Sequence, residues 1–212
     1  MTRRVRIAVI DSGVHADHPH VGGVSGGIGI DGDGRVDADF VDRLGHGTAV
    51  TAVIREKAPH ADIFCIKVFD RELAATGRAL VAAIEKAIEH RAQIINLSLG
   101  TANRDHEAAL SSVAAAAAAA GAIVIAAGEQ DGVRWLPGAL PPVWPVLLDW
   151  SIARDECRVA MRAGAAPVFS ASGYPRPIPG VPPERNLKGL SFAVANVTGL
   201  VGSSLLIAAE RD

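Results

Sequence analysis

Val5-Arg6-Ile7-Ala8-Val9-Ile10-Asp11-Ser12-Gly13 is a short β-branched run closed by an acid and a tight turn. It reads as a buried parallel strand with Asp11 at its carboxyl end. Ala61–Val68, Gln93–Leu99 and Ala122–Ala127 repeat the pattern, with Val146–Trp150 and Pro167–Ser170 as shorter strands. Helical patterns lie between them. His46–Lys57 starts just after Gly45 and stops before Pro59. Between Thr76 and His90, residues Leu80, Val81, Ile84, Ala87 and Ile88 form one apolar stripe. Arg104–Ala120 carries seven consecutive alanines and ends at Gly121, and Ser191–Ala208 reads as a small-residue helix. Gly22–Gly45 is rich in Gly and Asp and reads as a long loop with one short strand, and Val133–Pro145 as irregular. Alternation of strand and helix predicts an α/β fold with right-handed crossovers, in which Asp11, Ser98-Leu99-Gly100 and Glu129 end strands along one sheet edge.

Composition narrows the function. The chain has 212 residues, which fits one domain spanning 1–212. Hydrophobic residues make up 49% but aromatics only 4%, so the core is built from Ala, Val, Ile and Leu. With 21 basic against 23 acidic residues and no basic run, neither a nucleic-acid nor a membrane partner is expected. Val113–Ala127 is too short and too alanine-rich to span a bilayer. Cys65 and Cys157 read as reduced, buried thiols, and with no targeting segment after Thr2-Arg3-Arg4 a cytoplasmic location is expected.

Several chemistries can be set aside. The turn after the first strand lacks G-x-G-x-x-G, and no P-loop occurs, so no nucleotide cofactor is expected. His15, His18 and His20 have a spacing that fits no helical ligand pattern, so no metal is expected there. The acidic stretch from Asp31 to Asp39 lacks EF-hand order and its terminal Glu, and reads as a solvated turn rather than a calcium loop. Among seven histidines, His46 stands out in Gly45-His46-Gly47-Thr48, where small neighbours permit close approach at a helix start.

These residues together resemble the subtilisin-like serine proteases. Ile7-Ala8-Val9-Ile10-Asp11-Ser12-Gly13 is similar to that family's aspartate motif, Gly45-His46-Gly47-Thr48 to its histidine motif and Gly189-Leu190-Ser191-Phe192-Ala193 to its serine motif. The Asp, His, Ser order also matches. Ile94-Ile95-Asn96-Leu97-Ser98-Leu99-Gly100 resembles the strand that pairs with substrate. The resemblance implies a three-layer sandwich with a mostly parallel central sheet and helices on both faces. It also implies a cofactor-independent endopeptidase in which Ser191 attacks, His46 carries the proton and Asp11 orients it. Ser98, Leu99 and Gly100 would bind an extended peptide, and the Ser191 N–H would donate to the oxyanion.

The sequence departs from the family at Glu129, which stands where the oxyanion asparagine is expected; an ionised carboxylate only accepts hydrogen bonds. Either donation falls to a protonated Glu129, to Gln130 or to another group, or the enzyme is slow. Leu190 replaces a threonine, Ala195-Asn196 replaces Pro-His, and the histidine motif is altered at Ala49, Thr51 and Ala52. No propeptide is expected ahead of the first strand. The resemblance implies limited cleavage of one leader-bearing peptide or protein partner, as small cytoplasmic members of the family perform, quinohemoprotein amine dehydrogenase maturation among them. The rival expectation is a pseudoprotease, or a partner-activated one, that binds an extended peptide with little cleavage.

Overall fold

The computed structural model describes residues 4–161 and 163–209. In chain order the elements are β1 (Arg6–Asp11), β2 (Gly26–Ile30), β3 (Val36–Asp37), α1 (His46–Lys57), β4 (Asp62–Lys67), α2 (Gly77–Glu89) and β5 (Ile94–Leu97). There follow α3 (Glu107–Ala119), β6 (Ile123–Ala127), β7 (Glu129–Gln130), β8 (Val133–Arg134), β9 (Trp144–Leu148), β10 (Cys157–Ala160), β11 (Val168–Ala171) and α4 (Leu190–Ala209).

Nine strands form one sheet in the order β10-β11-β9-β6-β5-β1-β4-β2-β3. Every pairing is parallel except those at the two edges, β10 with β11 and β2 with β3. Alternation along the strands sorts the core into two layers. Ile7, Val9, Ile63, Cys65, Ile94 and Ile125 pack under α1 and α4, while Ala8, Ile10, Phe64, Ile66, Ile95 and Leu97 pack under α2 and α3. The chain is thus an α/β three-layer sandwich with a mostly parallel sheet and helices on both faces.

The sequence missed the small strands. The 22–45 segment holds two strands rather than one, Val133–Pro145 contains β8 and the start of β9, and β10 went unseen. Pairs of two residues and an exposed edge strand carry little hydrophobic periodicity. Cys65 is buried as expected, but Cys157 is only partly buried. Burial pushes the Cys65 thiol up to about 12, which makes it a poor nucleophile.

Among the described residues one helix, over Leu190–Ile207, is long and apolar enough to cross a membrane by length and composition. However, 56% of that span is buried inside the protein, where α4 packs on α1 and on the sheet, so its apolar character is accounted for by the core.

Candidate active site

The site forms where carboxyl ends of strands meet the N-termini of two helices. Asp11 ends β1 and is 1% exposed. Its Oδ1 accepts from the Ser12 N–H at 2.7 Å and lies 2.7 Å from His46 Nδ1. His46 is the first residue of α1, and the approach that brings it to β1 needs a glycine beside it. A Cβ on Gly47 would stand 2.2 Å from the Gly13 oxygen. Behind the imidazole, Phe192 packs with its ring centroid 5.6 Å from that of His46.

Ser191 lies in the first turn of α4. Gly189, at φ 145°, starts this turn with a backbone that side-chain-bearing residues avoid, and its carbonyl accepts from the Phe192 N–H at 3.0 Å. Among the described residues no acceptor engages the Ser191 N–H, as expected for a first-turn amide. The Ser191 hydroxyl donates to the Ser98 carbonyl at 2.9 Å. A serine hydroxyl has a single proton, so in this arrangement it is not given to His46.

Asp42, which the sequence reading overlooked, organises the imidazole side. It is 1% exposed and accepts five hydrogen bonds. Oδ1 takes those of the Ser12 hydroxyl, Leu44 N–H and Gly45 N–H, and Oδ2 those of the Thr48 N–H and hydroxyl, all between 2.6 and 2.9 Å. The Ser12 hydroxyl also accepts from the Gly47 N–H at 2.9 Å, which joins the β1 turn to α1. Burial would raise the Asp42 carboxyl, but the hydrogen bonds, those from Thr48 foremost, outweigh it and hold the pKa below the ordinary value. An acid placed just before a helix start is the signal that could have revealed this role.

Burial favours the neutral imidazole of His46, yet the Asp11 hydrogen bond and charge, with the Asp42 charge, prevail and raise its pKa above 6.5. Such a group is a base once neutral and binds a proton firmly when charged.

His46 and Ser191 line one open cleft of about 430 Å³ with Ser98, Leu99, Gly100 and Gln130. Its walls are largely apolar, with Phe69, Leu73, Leu80, Leu99 and Trp135. Glu129 is exposed and lines a different depression, beside Leu147, Leu148 and Trp150. Gln130 lines both the cleft and that depression, and its Nε2 donates to Asp131 Oδ2 at 3.1 Å. None of the other six histidines lines the cleft. His18 and His20 stack edge to face at 5.2 Å, and His90 stacks on Phe64. In the acidic loop, Asp31 and Asp37 accept backbone N–H groups, and Asp33 and Asp39 pair with Arg35, Arg43 and Lys67.

Comparison with known proteins places the chain in a family. Residues 2–158 match the model of the subtilase family. The intracellular serine protease of Paenibacillus polymyxa is 34% identical over 126 residues, 53% of this chain and 39% of that protein. The minor extracellular protease Epr of Bacillus subtilis (strain 168) is 30% identical over 184 residues, 81% of this chain and 27% of that protein. This chain therefore spans well under half the length of these two relatives. Among solved structures, a lanthipeptide protease superposes with a TM-score of 0.72 at 22% identity, covering 98% of this chain and 74% of the other. The prenylagaramide maturation protease superposes with a TM-score of 0.66 at 21% identity, covering 98% and 76%. With a family match over most of its length, a stretch that includes Asp11 and His46 and ends before Ser191, this chain belongs to the subtilase family of serine proteases.

Proposed function

We propose that the protein is a serine endopeptidase that cuts a peptide bound in extended form, with Asp11, His46 and Ser191 as its triad. The observation that carries this reading is the buried 2.7 Å contact between Asp11 and His46, placed across one cleft from Ser191. Ser191 Oγ attacks the scissile carbonyl while His46 Nε2 takes its proton, and Asp11 holds Nδ1–H and the resulting positive charge. The tetrahedral oxyanion is met by the Ser191 N–H and, once its Nε2 leaves Asp131 Oδ2, by the Gln130 carboxamide. His46 then protonates the leaving amine, and water, deprotonated by His46, releases the acyl group.

The substrate adds a strand beside Ser98-Leu99-Gly100 and seats an aliphatic or aromatic side chain against Phe69, Leu73 and Trp135. Two structural relatives are maturation or lanthipeptide proteases by name, which supports limited processing of one leader-bearing peptide or protein partner. A leader-bearing quinohemoprotein amine dehydrogenase subunit falls within that class. A relative named as intracellular, together with two free cysteines, supports a cytoplasmic setting.

A second reading, activation by a partner, is favoured by the Ser191 hydroxyl bonding to Ser98 and by Glu129 lying outside the cleft. An active-site fluorophosphonate separates the protease, the partner-activated protease and the pseudoprotease. Labelling of wild type, but not of Ser191→Ala, with cleavage of a leader-bearing peptide, supports the protease. Peptide binding without labelling supports the pseudoprotease, and labelling only in the presence of the partner supports activation.

A further inference from the structure

We propose that Thr198 and Asn96 are positioning residues for Ser191, acting through Ser98. This rests on the protease reading but uses groups that take no part in the triad. Asn96 is the one polar residue of β5, and its side chain faces α4. The Thr198 hydroxyl donates to Asn96 Oδ1 at 2.9 Å, Asn96 Nδ2 donates to Ser98 Oγ at 2.9 Å, and Ser98 Oγ donates to the Ser191 carbonyl at 3.2 Å. Thr198 and Asn96 are fully buried and Ser98 is 5% exposed.

Chemistry fixes the direction of this chain. A threonine hydroxyl next to a carboxamide oxygen must donate, which leaves the carboxamide nitrogen to face Ser98. The Ser98 hydroxyl, with one lone pair filled by Asn96, turns its only proton on the Ser191 carbonyl. Thr198 lies seven residues beyond Ser191, two helical turns or about 10 Å along the same face of α4. The helix is therefore pinned to the end of β5 at two heights, and the first-turn amide of Ser191 is held with it. An oxyanion donor is effective only when it is already in place, and a displacement of about 1 Å can cost on the order of 10²-fold in rate. A neutral network whose every member is satisfied can supply such rigidity without placing a charge beside the nucleophile.

The test compares Thr198→Val, which keeps the shape and removes the hydroxyl, with Thr198→Ser, which restores the donor. The readouts are steady-state cleavage, fluorophosphonate labelling and amide hydrogen exchange in the first turn of α4. Thr198→Val should lower kcat about 10- to 100-fold with KM changed less than about two-fold, slow labelling in parallel and speed exchange of the Ser191 amide. Thr198→Ser should recover all three. If Thr198→Val folds poorly, Asn96→Asp carries the test. A carboxylate at that position accepts from Ser98 Oγ, pulls its proton from the Ser191 carbonyl and gives the same loss. Unchanged labelling and exchange in folded Thr198→Val overturn the proposal, as does a fall in melting temperature alone. If the wild type neither cleaves nor labels, the protease reading fails. Amide exchange then decides the relay: faster in Thr198→Val upholds it, and unchanged overturns it.

Discussion

The Ser191 hydroxyl and the Ser98 carbonyl are joined by a 2.9 Å hydrogen bond, so the proposed nucleophile rests on the strand end proposed to pair with substrate. A peptide main chain lying along Ser98-Leu99-Gly100 offers an N–H to that carbonyl and frees the hydroxyl for His46. A peptidyl phosphonate should therefore label Ser191 at least about ten-fold faster than an alkyl fluorophosphonate, and N-methylation of the amide nearest phosphorus should remove that advantage. Equal rates for the methylated and unmethylated probes would show that the Ser98 bond does not restrain the nucleophile.

Activity should rise with pH through a value above 6.5, because His46 acts as a base only when neutral and its pKa is raised. In Asp11→Asn the partner that raises it is lost, so the rise should move to lower pH while kcat falls about 10⁴-fold. The same shift acts on stability. The contribution of His46 is fully present below 6.5 and is lost as pH rises through the higher folded value. Imidazole titration by NMR reads the shift directly, and a pKa at or below 6.5 in the wild type contradicts the arrangement.

Gln130→Ala should lower kcat about 10²- to 10³-fold, a magnitude that comes from removing an oxyanion donor in subtilisin, a member of this family. Glu129→Gln should leave kcat within about three-fold, since Glu129 lies outside the cleft. Cleavage kinetics that reverse this order return the oxyanion role to residue 129.

Asp42→Ala leaves five donors without an acceptor, three of them in buried bonds, and should cost about 3 kcal/mol or more, read from urea unfolding. Because its folded pKa is lowered, Asp42 contributes stability above 3.8 that is lost as pH falls toward the folded value. Wild type and Asp42→Asn should therefore converge in stability in acid. A constant gap between them at all pH values counts against a charged Asp42.

Gly47→Ala forces α1 away from β1, because the new methyl would stand 2.2 Å from the Gly13 oxygen. Labelling of Ser191 should become at least about 100-fold slower, with His46 displaced from Asp11. Wild-type labelling in that variant would mean the two backbones can separate without loss.

The sequence by itself determined the parallel sheet and the four helices, and it singled out Asp11, His46 and Ser191 as the proposed triad. Unbroken β-branched runs and short motifs with glycine neighbours are local signals, legible without the fold. Only the tertiary structure decided how those residues are held. Asp42 gathers donors from the β1 turn and the start of α1, and Thr198 reaches Asn96 across 102 positions of chain. It also placed Gln130 on the border of the cleft and the neighbouring depression and Glu129 in that depression alone, a distinction that a two-residue strand carries too little pattern to reveal. Buried polar partnerships join residues far apart in sequence, and their partners are fixed by packing, not by periodicity.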